Sequence, residues 1–181
     1  MRYLLELTQK QEYGQIPVAN ENNKIQYIIQ GNLDNPNHTL YLKKYTGKEI
    51  GRLYTDGNGI ISSYTIDVVN HSLVKVKRLN NKVANLFYIT RLNYIVTGSI
   101  KKGSYKFLSG IKKVATVKTV IQNEGVVLIC EVERPEDVPF ILLCATLFTQ
   151  WHTTPLRLPT FPPIGRKYNV NFFIFRNSSL I

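Results

Sequence analysis

The chain has 181 residues and a formal net charge of +11, with 44% hydrophobic residues that include 11 Tyr, 8 Phe and one Trp. That length suits one domain, and that composition excludes a disordered or collagen-like chain while leaning toward strands, where aromatic and β-branched side chains are enriched. Two cysteines, Cys130 and Cys144, share no CxxC spacing, which argues against a disulfide framework or structural zinc site and fits a reducing cytoplasm.

Along the chain, MRYLLELTQKQEYG offers a short apolar patch broken by Glu6, too polar for an export signal. Eleven candidate strands follow at short intervals: Tyr3 to Leu7, Ile25 to Gln30, Thr39 to Tyr45, Glu49 to Tyr54, Ile60 to Asp67, Leu73 to Arg78, Asn85 to Thr90, Asn93 to Ile100, Ser104 to Leu108, Lys113 to Val120 and Val126 to Glu133. Turn signals separate them, among them Gly31-Asn32, Asp56-Gly57-Asn58-Gly59, Asn80-Asn81 and Asn123-Glu124-Gly125. Short strands joined by polar turns predict antiparallel meanders in a sandwich or barrel. In Leu73 to Arg78, Lys75 and Lys77 share one face while Val74 and Val76 share the other, so one face is buried and the other carries charge. Two hairpins, Gly47 to Val68 and Ile111 to Val132, resemble each other as a basic strand, a Gly/Asn turn and a more apolar return.

Charge is placed unevenly. Between Val68 and Asn123 no Asp or Glu occurs, but Lys75, Lys77, Arg78, Lys82, Arg91, Lys101, Lys102, Lys106, Lys112, Lys113 and Lys118 do. The remainder is balanced, so this segment holds the whole excess. Such a field attracts polyanions and anionic membrane surfaces; it also serves simply to keep a surface soluble.

PEDVPFILLCATLFTQW, Pro135 to Trp151, breaks the strand pattern. Glu136 and Asp137 supply negative charge for a helix beginning near Asp137, and Pro139 is tolerated in a first turn. At 100° per residue Phe140, Ile141, Leu142 and Leu143 fall in four quadrants, leaving only a narrow polar stripe at Thr146, Thr149 and Gln150. The helix is expected to be buried on nearly all sides. Asp137 to Trp151 spans roughly 22 Å, against roughly 30 Å of hydrocarbon in a bilayer, so it is too short to cross one. Since about eight strands close on their own side chains, a larger barrel needs filling, and the helix is expected to provide it. The fold class is thus mainly β, a closed antiparallel barrel of about 12 strands enclosing one central hydrophobic helix, about Asp137 to Trp151. The barrel domain takes residues 1–152. Residues 153–181 form a Pro-rich linker, Thr153 to Gly165, and a strand, Tyr168 to Phe175, that closes the barrel edge or pairs with another chain.

GKEIGRLYTDGNGIISSYTID, KKVATVKTVIQNEGVVLICEVERPEDV and the apolar helix FILLCATLFTQW after them resemble the tubby C-terminal-like fold, in particular its LURP-one-related branch, which has bacterial members. The match covers roughly Ile25 to Trp151. The resemblance implies a barrel of about twelve strands around a hydrophobic helix, kinship with phospholipid scramblases, and, as in tubby proteins, phosphoinositide binding through surface Lys and Arg. Many LURP-one-like proteins have no established activity. No ligand residue of the family aligns with a position here, and the long tail after Trp151 departs from its pattern.

No catalytic constellation emerges. Gly98-Ser-Ile-Lys-Lys-Gly103-Ser104 lacks the Lys that a phosphate loop needs after its second glycine. Ser99-Ile-Lys-Lys102 and Ser109-Gly-Ile-Lys112 match S-x-x-K without its companion motifs. His38, His71 and His152 are dispersed, and burial is expected to make Cys130 and Cys144 inert. Asn37, Asn70 and Asn177 begin Asn-x-Ser/Thr triplets, which bear on function only in a secreted chain. The expectation is a non-enzymatic binding or scaffold domain with no cofactor and no metal. Its candidate anion-binding face is Lys75, Lys77, Arg78, Lys101, Lys102, Lys112 and Lys113, directed at anionic lipid head groups on the inner face of the membrane. The alternatives are a nucleic-acid-binding barrel that stacks bases on Phe87, Tyr88, Tyr94, Tyr105 and Phe107, and a structural domain forming a homo-oligomer through its C-terminal tail. If the aromatics pack around the helix, the stacking platform is lost.

Overall fold

The computed structural model describes residues 1–7, 14–31, 39–55, 63–80, 85–122 and 125–148. The strands are β1 (Arg2–Leu7), β2 (Gln15–Asn20), β3 (Ile25–Gln30), β4 (Leu40–Lys44), β5 (Glu49–Thr55), β6 (Tyr64–Val68), β7 (Val74–Asn80), β8 (Asn85–Ile89), β9 (Tyr94–Ser99), β10 (Ser104–Ser109), β11 (Lys112–Gln122) and β12 (Gly125–Val132). Each pairs antiparallel with its sequence neighbours, and β1 pairs with β12 from Arg2 opposite Glu131 to Leu7 opposite Val126, which closes the barrel. Full closure leaves no strand edge exposed.

Eleven of the twelve strands follow from alternation and turn spacing; β2, QIPVAN, does not. Pro17 at its centre cannot donate to a ladder, which argues against a strand. Its place becomes intelligible from the register: β2 pairs with β3 along most of its length, but its pairing with β1 stops at Val18, so Pro17 lies where one ladder is already open.

Alternation puts the core where period two predicts. Tyr3 and Leu5, Ile16 and Val18, Val74 and Val76, and Tyr105 and Phe107 are buried, while Lys75 and Lys77 are exposed. One break in the pattern is instructive. Leu108 opposes Lys113 but Phe107 opposes Ala115, so Val114 is an extra residue, a bulge, and Val114 and Ala115 are both buried in succession. The bulge leaves Lys112 and Lys113 exposed at the start of β11 while Val117 returns to the core.

A single 3-10 turn, Pro135–Asp137, leads from β12 into α1 (Val138–Phe148), so the helix proper begins one residue later than expected. Its expected last residues lie outside the described part of the chain, as does the whole tail from 149 to 181. Apart from Pro139, every residue of α1 is buried, Thr146 included, so the described helix has no polar stripe at all. It packs against β4, β5, β6 and β12. Phe140 meets the edge of His71 with ring centroids 5.3 Å apart, and Phe148 meets Phe87 at 4.7 Å and Tyr105 at 5.7 Å. At Gly51 of β5 a side-chain carbon would lie 3.2 Å from the Asp67 carbonyl oxygen and from a methyl of Val68, so the bare backbone serves the close packing of β5 on β6, and Leu143 of the helix lies beside it at an ordinary contact distance. No described helix is long and apolar enough to cross a membrane.

Because the strands form a continuous meander, successive turns alternate between the two mouths of the barrel. The tight turns after β2, β4, β6, β8 and β10 share one mouth with the 3-10 turn that starts the helix. The 3-10 turn Ile100–Lys102 and the hairpin of β11 and β12 belong to the other.

Candidate functional site

The acid-free basic segment becomes a contiguous arc of wall, since β7 to β11 are neighbours in the ring. Lys75, Lys77, Arg78, Arg91, Lys102, Lys106, Lys112, Lys113 and Lys118 are all exposed. Among the described residues no ion pair holds Lys77, Lys102, Lys106, Lys112, Lys113 or Lys118. On the strands that adjoin this arc, by contrast, Arg52 of β5 is paired with Asp67 of β6 at 2.9 Å. The basic arc is therefore one in which positive charge is largely left to solvent.

The seven predicted residues do not form one compact pocket. Lys77 opposes Tyr88, Tyr88 opposes Ile95, Ile95 opposes Leu108, and Leu108 opposes Lys113, so Lys77 and Lys113 bracket a single outward row across five strands. Four interstrand spacings of about 4.8 Å separate β7 from β11, roughly 19 Å along the wall. Lys75, beside the turn into β7, and Lys112 flank this row on the side of the tight-turn mouth. Lys101 and Lys102 sit in the 3-10 turn at the other mouth, the length of β10 away, roughly 20 Å at 3.3 Å per residue. Arg78 follows Lys77 on β7 and is exposed. The cations thus cover a face rather than converge on a point.

The aromatic residues of the same segment mostly point the other way. Tyr94, Tyr105 and Phe107 are buried, and Phe87 is partly buried against Phe148 of the helix. Tyr88 alone of the five lies in the outward row, its hydroxyl donating to Asn93 Oδ1 at 2.7 Å. Stacking on aromatics beside the lysines therefore has one ring available rather than five.

A second cluster, not foreseen from the sequence, anchors the helix start. Asp137 is 2% exposed. Its Oδ1 accepts from the Tyr94 hydroxyl at 2.7 Å, and its Oδ2 accepts from Arg134 Nε at 2.8 Å; the Arg134 terminal nitrogen also donates to the Tyr94 oxygen. Burial and the bond to Asp137 push the Tyr94 hydroxyl up to about 12. Asp137 was expected to balance a helix dipole; it instead ties β9 to the turn after β12. Nearby, Lys44, Lys48, Glu49, His71, Glu136 and Pro139 help to line an open cleft of about 310 Å³. Cations and carboxylates alternate there, with no bias to one sign of ligand.

Cys130 and Cys144 are both completely buried, and burial pushes the Cys130 thiol up to about 12 and Cys144 higher still. Both are poor nucleophiles in the fold. The Gly98 to Ser104 motif is a hairpin: the Gly103 N–H donates to Ile100 O and its carbonyl accepts from the Thr119 N–H of β11, so both backbone polar groups of Gly103 are engaged within the protein. Among the described residues no group of three or more His, Cys, Asp or Glu could hold a metal ion. His38 and His152, and Asn37 and Asn177, lie outside the described residues.

What the fold defines is a closed twelve-stranded antiparallel barrel with one apolar helix following its last strand. A similar fold occurs in an Arabidopsis thaliana protein solved by X-ray crystallography, which is 13% identical and has a TM-score of 0.54; the match covers 81% of this chain and 89% of that one. No protein-family model matches the sequence, and neither does any curated protein.

Proposed function

We propose that the chain is a non-enzymatic binding or scaffold domain, a barrel of the tubby-like, LURP-one-related kind with α1 as the filling of its lumen, and that it associates peripherally with anionic phospholipid surfaces. The observation that carries this is the arc β7 to β11, which holds all the excess positive charge, no carboxylate, and a row of exposed lysines largely without ion pairs. Each such charge near an anionic membrane surface contributes about 1 kcal/mol, so several acting together suffice for reversible attachment. A broad face fits a surface of many head groups better than it fits one small ligand. The filling role of α1 is supported by burial around its circumference and by ring contacts near both of its ends. Twelve strands leave a lumen that something must occupy.

The nucleic-acid alternative is weakened by the inward aromatics, which leave it the electrostatic contribution and the single outward ring of Tyr88. Association through residues 153–181 is a third role, tested by deleting them and measuring mass in solution. The lipid proposal is tested by flotation with liposomes of graded anionic content at low and high salt, comparing wild type with the fourfold variant Lys75→Ala, Lys77→Ala, Lys101→Ala, Lys102→Ala. Binding that rises with anionic lipid, falls with salt and is weakened in the variant supports it. No binding at low salt sinks it.

A further inference from the structure

The described turns at the tight-turn mouth leave large apolar side chains in solvent. Among the described residues the large ones about half exposed or more are Met1, Ile25, Tyr45, Val69, Leu73, Ile111 and Ile121. Met1, Ile25, Tyr45, Val69, Leu73 and Ile111 lie at the tight-turn mouth, where Ile25 follows the turn after β2, Tyr45 is in the turn after β4, Val69 and Leu73 flank the turn after β6, and Ile111 is in the turn after β10; Ile121 lies toward the other mouth, most of whose connections fall outside the described residues. Ile111 is fully exposed and Tyr45 is 64% exposed. A turn tip has no packing reason to carry an isoleucine, and clustered exposed apolar groups mark an interaction surface.

Their neighbours in sequence are cationic throughout the turns of the β7 to β11 side, while Glu21 and Glu49 accompany the lysines of the turns after β2 and β4. Lys24 precedes Ile25, Lys44 precedes Tyr45, and Lys112 and Lys113 follow Ile111. Lys75 follows Leu73 by two residues, and Arg91 sits in the turn after β8 at the same mouth. An apolar tip with a lysine beside it matches a bilayer interface, where the apolar group enters the acyl boundary and the ammonium stays at head-group level. The basic flank runs up to this mouth through Lys75, Lys112 and Lys113, so the charged face and the apolar ring are continuous.

We infer that the tight-turn mouth is the end that enters the membrane, its ring of apolar tips inserting into the interface of an anionic bilayer while the β7 to β11 flank faces the head groups. This rests on the lipid-surface function proposed above and adds an orientation: the barrel tilts onto the tight-turn mouth, with the basic flank leaning over the head groups and Lys75, Lys112 and Lys113 nearest them. The two ends of β11 supply the test. Ile111 precedes the strand and Ile121 lies ten residues on, at the opposite mouth, roughly 33 Å away at 3.3 Å per residue. Both are highly exposed, and Cys130 and Cys144, the chain's two cysteines, are buried, so Ile111→Cys and Ile121→Cys can each be labelled selectively with a polarity-sensitive fluorophore.

With vesicles of mixed phosphatidylcholine and phosphatidylserine, the label at 111 is expected to shift to the blue and to be quenched by lipid-borne quenchers, and the label at 121 is not. Ile111→Ser, whose circular dichroism should match wild type, is expected to weaken vesicle affinity by roughly tenfold, the loss of one buried aliphatic side chain. Flotation of wild type with neither label shifted, or with only the label at 121 shifted, overturns the inserted mouth and leaves surface binding standing. No flotation at low salt overturns both. A shift at 111 without vesicles that grows with protein concentration overturns it in favour of a second copy of the chain as the occupant.

Discussion

At Asp137 a carboxylate that is almost wholly out of water is supported by one hydroxyl and one guanidinium. Removing the Tyr94 hydroxyl leaves that carboxylate one donor short, so Tyr94→Phe is expected to cost about 1–3 kcal/mol in urea unfolding, more than a loss of packing would give because the ring itself is kept. The buried thiols and tyrosines set an alkaline limit on stability. Cys130 titrates at about 12 in the fold, against about 8.5 in an unfolded chain, and Tyr3 and Tyr94 titrate at about 12 against about 10. In each case the folded state holds its proton more tightly, so the stabilisation is complete below the unfolded value and is lost as pH rises toward 12. The free energy of unfolding should be flat to about pH 8 and then fall, with a limiting slope of about 1.4 kcal/mol per pH unit per group. Urea midpoints measured from pH 8 to 11 check this, and midpoints unchanged at pH 11 would contradict it. The same burial predicts that a thiol reagent modifies neither Cys130 nor Cys144 until denaturant is added. Of this scale the inert thiols were legible, since a cysteine inside an apolar run is seldom exposed. The Tyr94, Arg134 and Asp137 cluster was not, because its tyrosine lies 40 and 43 residues away from its partners and only the closure of the barrel joins them.

Among the elements, β7 shows why the wall could be read: VKVK alternates, with Val74 and Val76 buried and Lys75 and Lys77 exposed, and the pattern ends only at Arg78, which is exposed on the valines' side. β2 shows where such reading stops, since Pro17 breaks the local rule and only the shortened ladder with β1 makes it harmless. The bulge at Val114 is likewise invisible in KKVATVK, where either Val114 or Ala115 could have been the inward residue and both are. Positions that need a particular backbone make sharper tests. Gly98 has φ of +120°, and a side-chain carbon there would stand 2.8 Å from the Ser104 carbonyl oxygen and from Tyr105 Cα. Gly98→Ala is expected to cost about 2–3 kcal/mol through strain and displacement of β10. Gly110, in the open turn after β10, has nothing within 4 Å, so Gly110→Ala should cost about 1 kcal/mol, from its positive φ alone. Equal losses at the two glycines, compared by thermal unfolding, would show that the packing of β9 on β10 is not what Gly98 serves.

For the molecule as a whole, the placement of charge was legible because acidic residues are absent from Val68 to Asn123 whatever the register. Its shape was not: whether the lysines converge or spread depends on which strands are neighbours, and the meander spreads them over five. The apolar tips were obscured for the same reason, since Ile25 and Tyr45 read as the ends of strands and Ile111 as a lone residue between two, until the turns are placed at one mouth. In the proposed arrangement both surfaces depend on the helix. With α1 as filling, the inward residues of a twelve-stranded wall close on a solid core; without it they would line a void. The direct test is a charge at the centre of α1. Leu143 is fully buried and lies against β5, so Leu143→Asp should leave a carboxylate with no partner and abolish the folded state, with near-ultraviolet circular dichroism and cooperative thermal unfolding both lost, while Leu143→Met keeps them. A soluble Leu143→Asp protein that unfolds cooperatively near the wild-type temperature would show that the barrel does not need the helix at its centre.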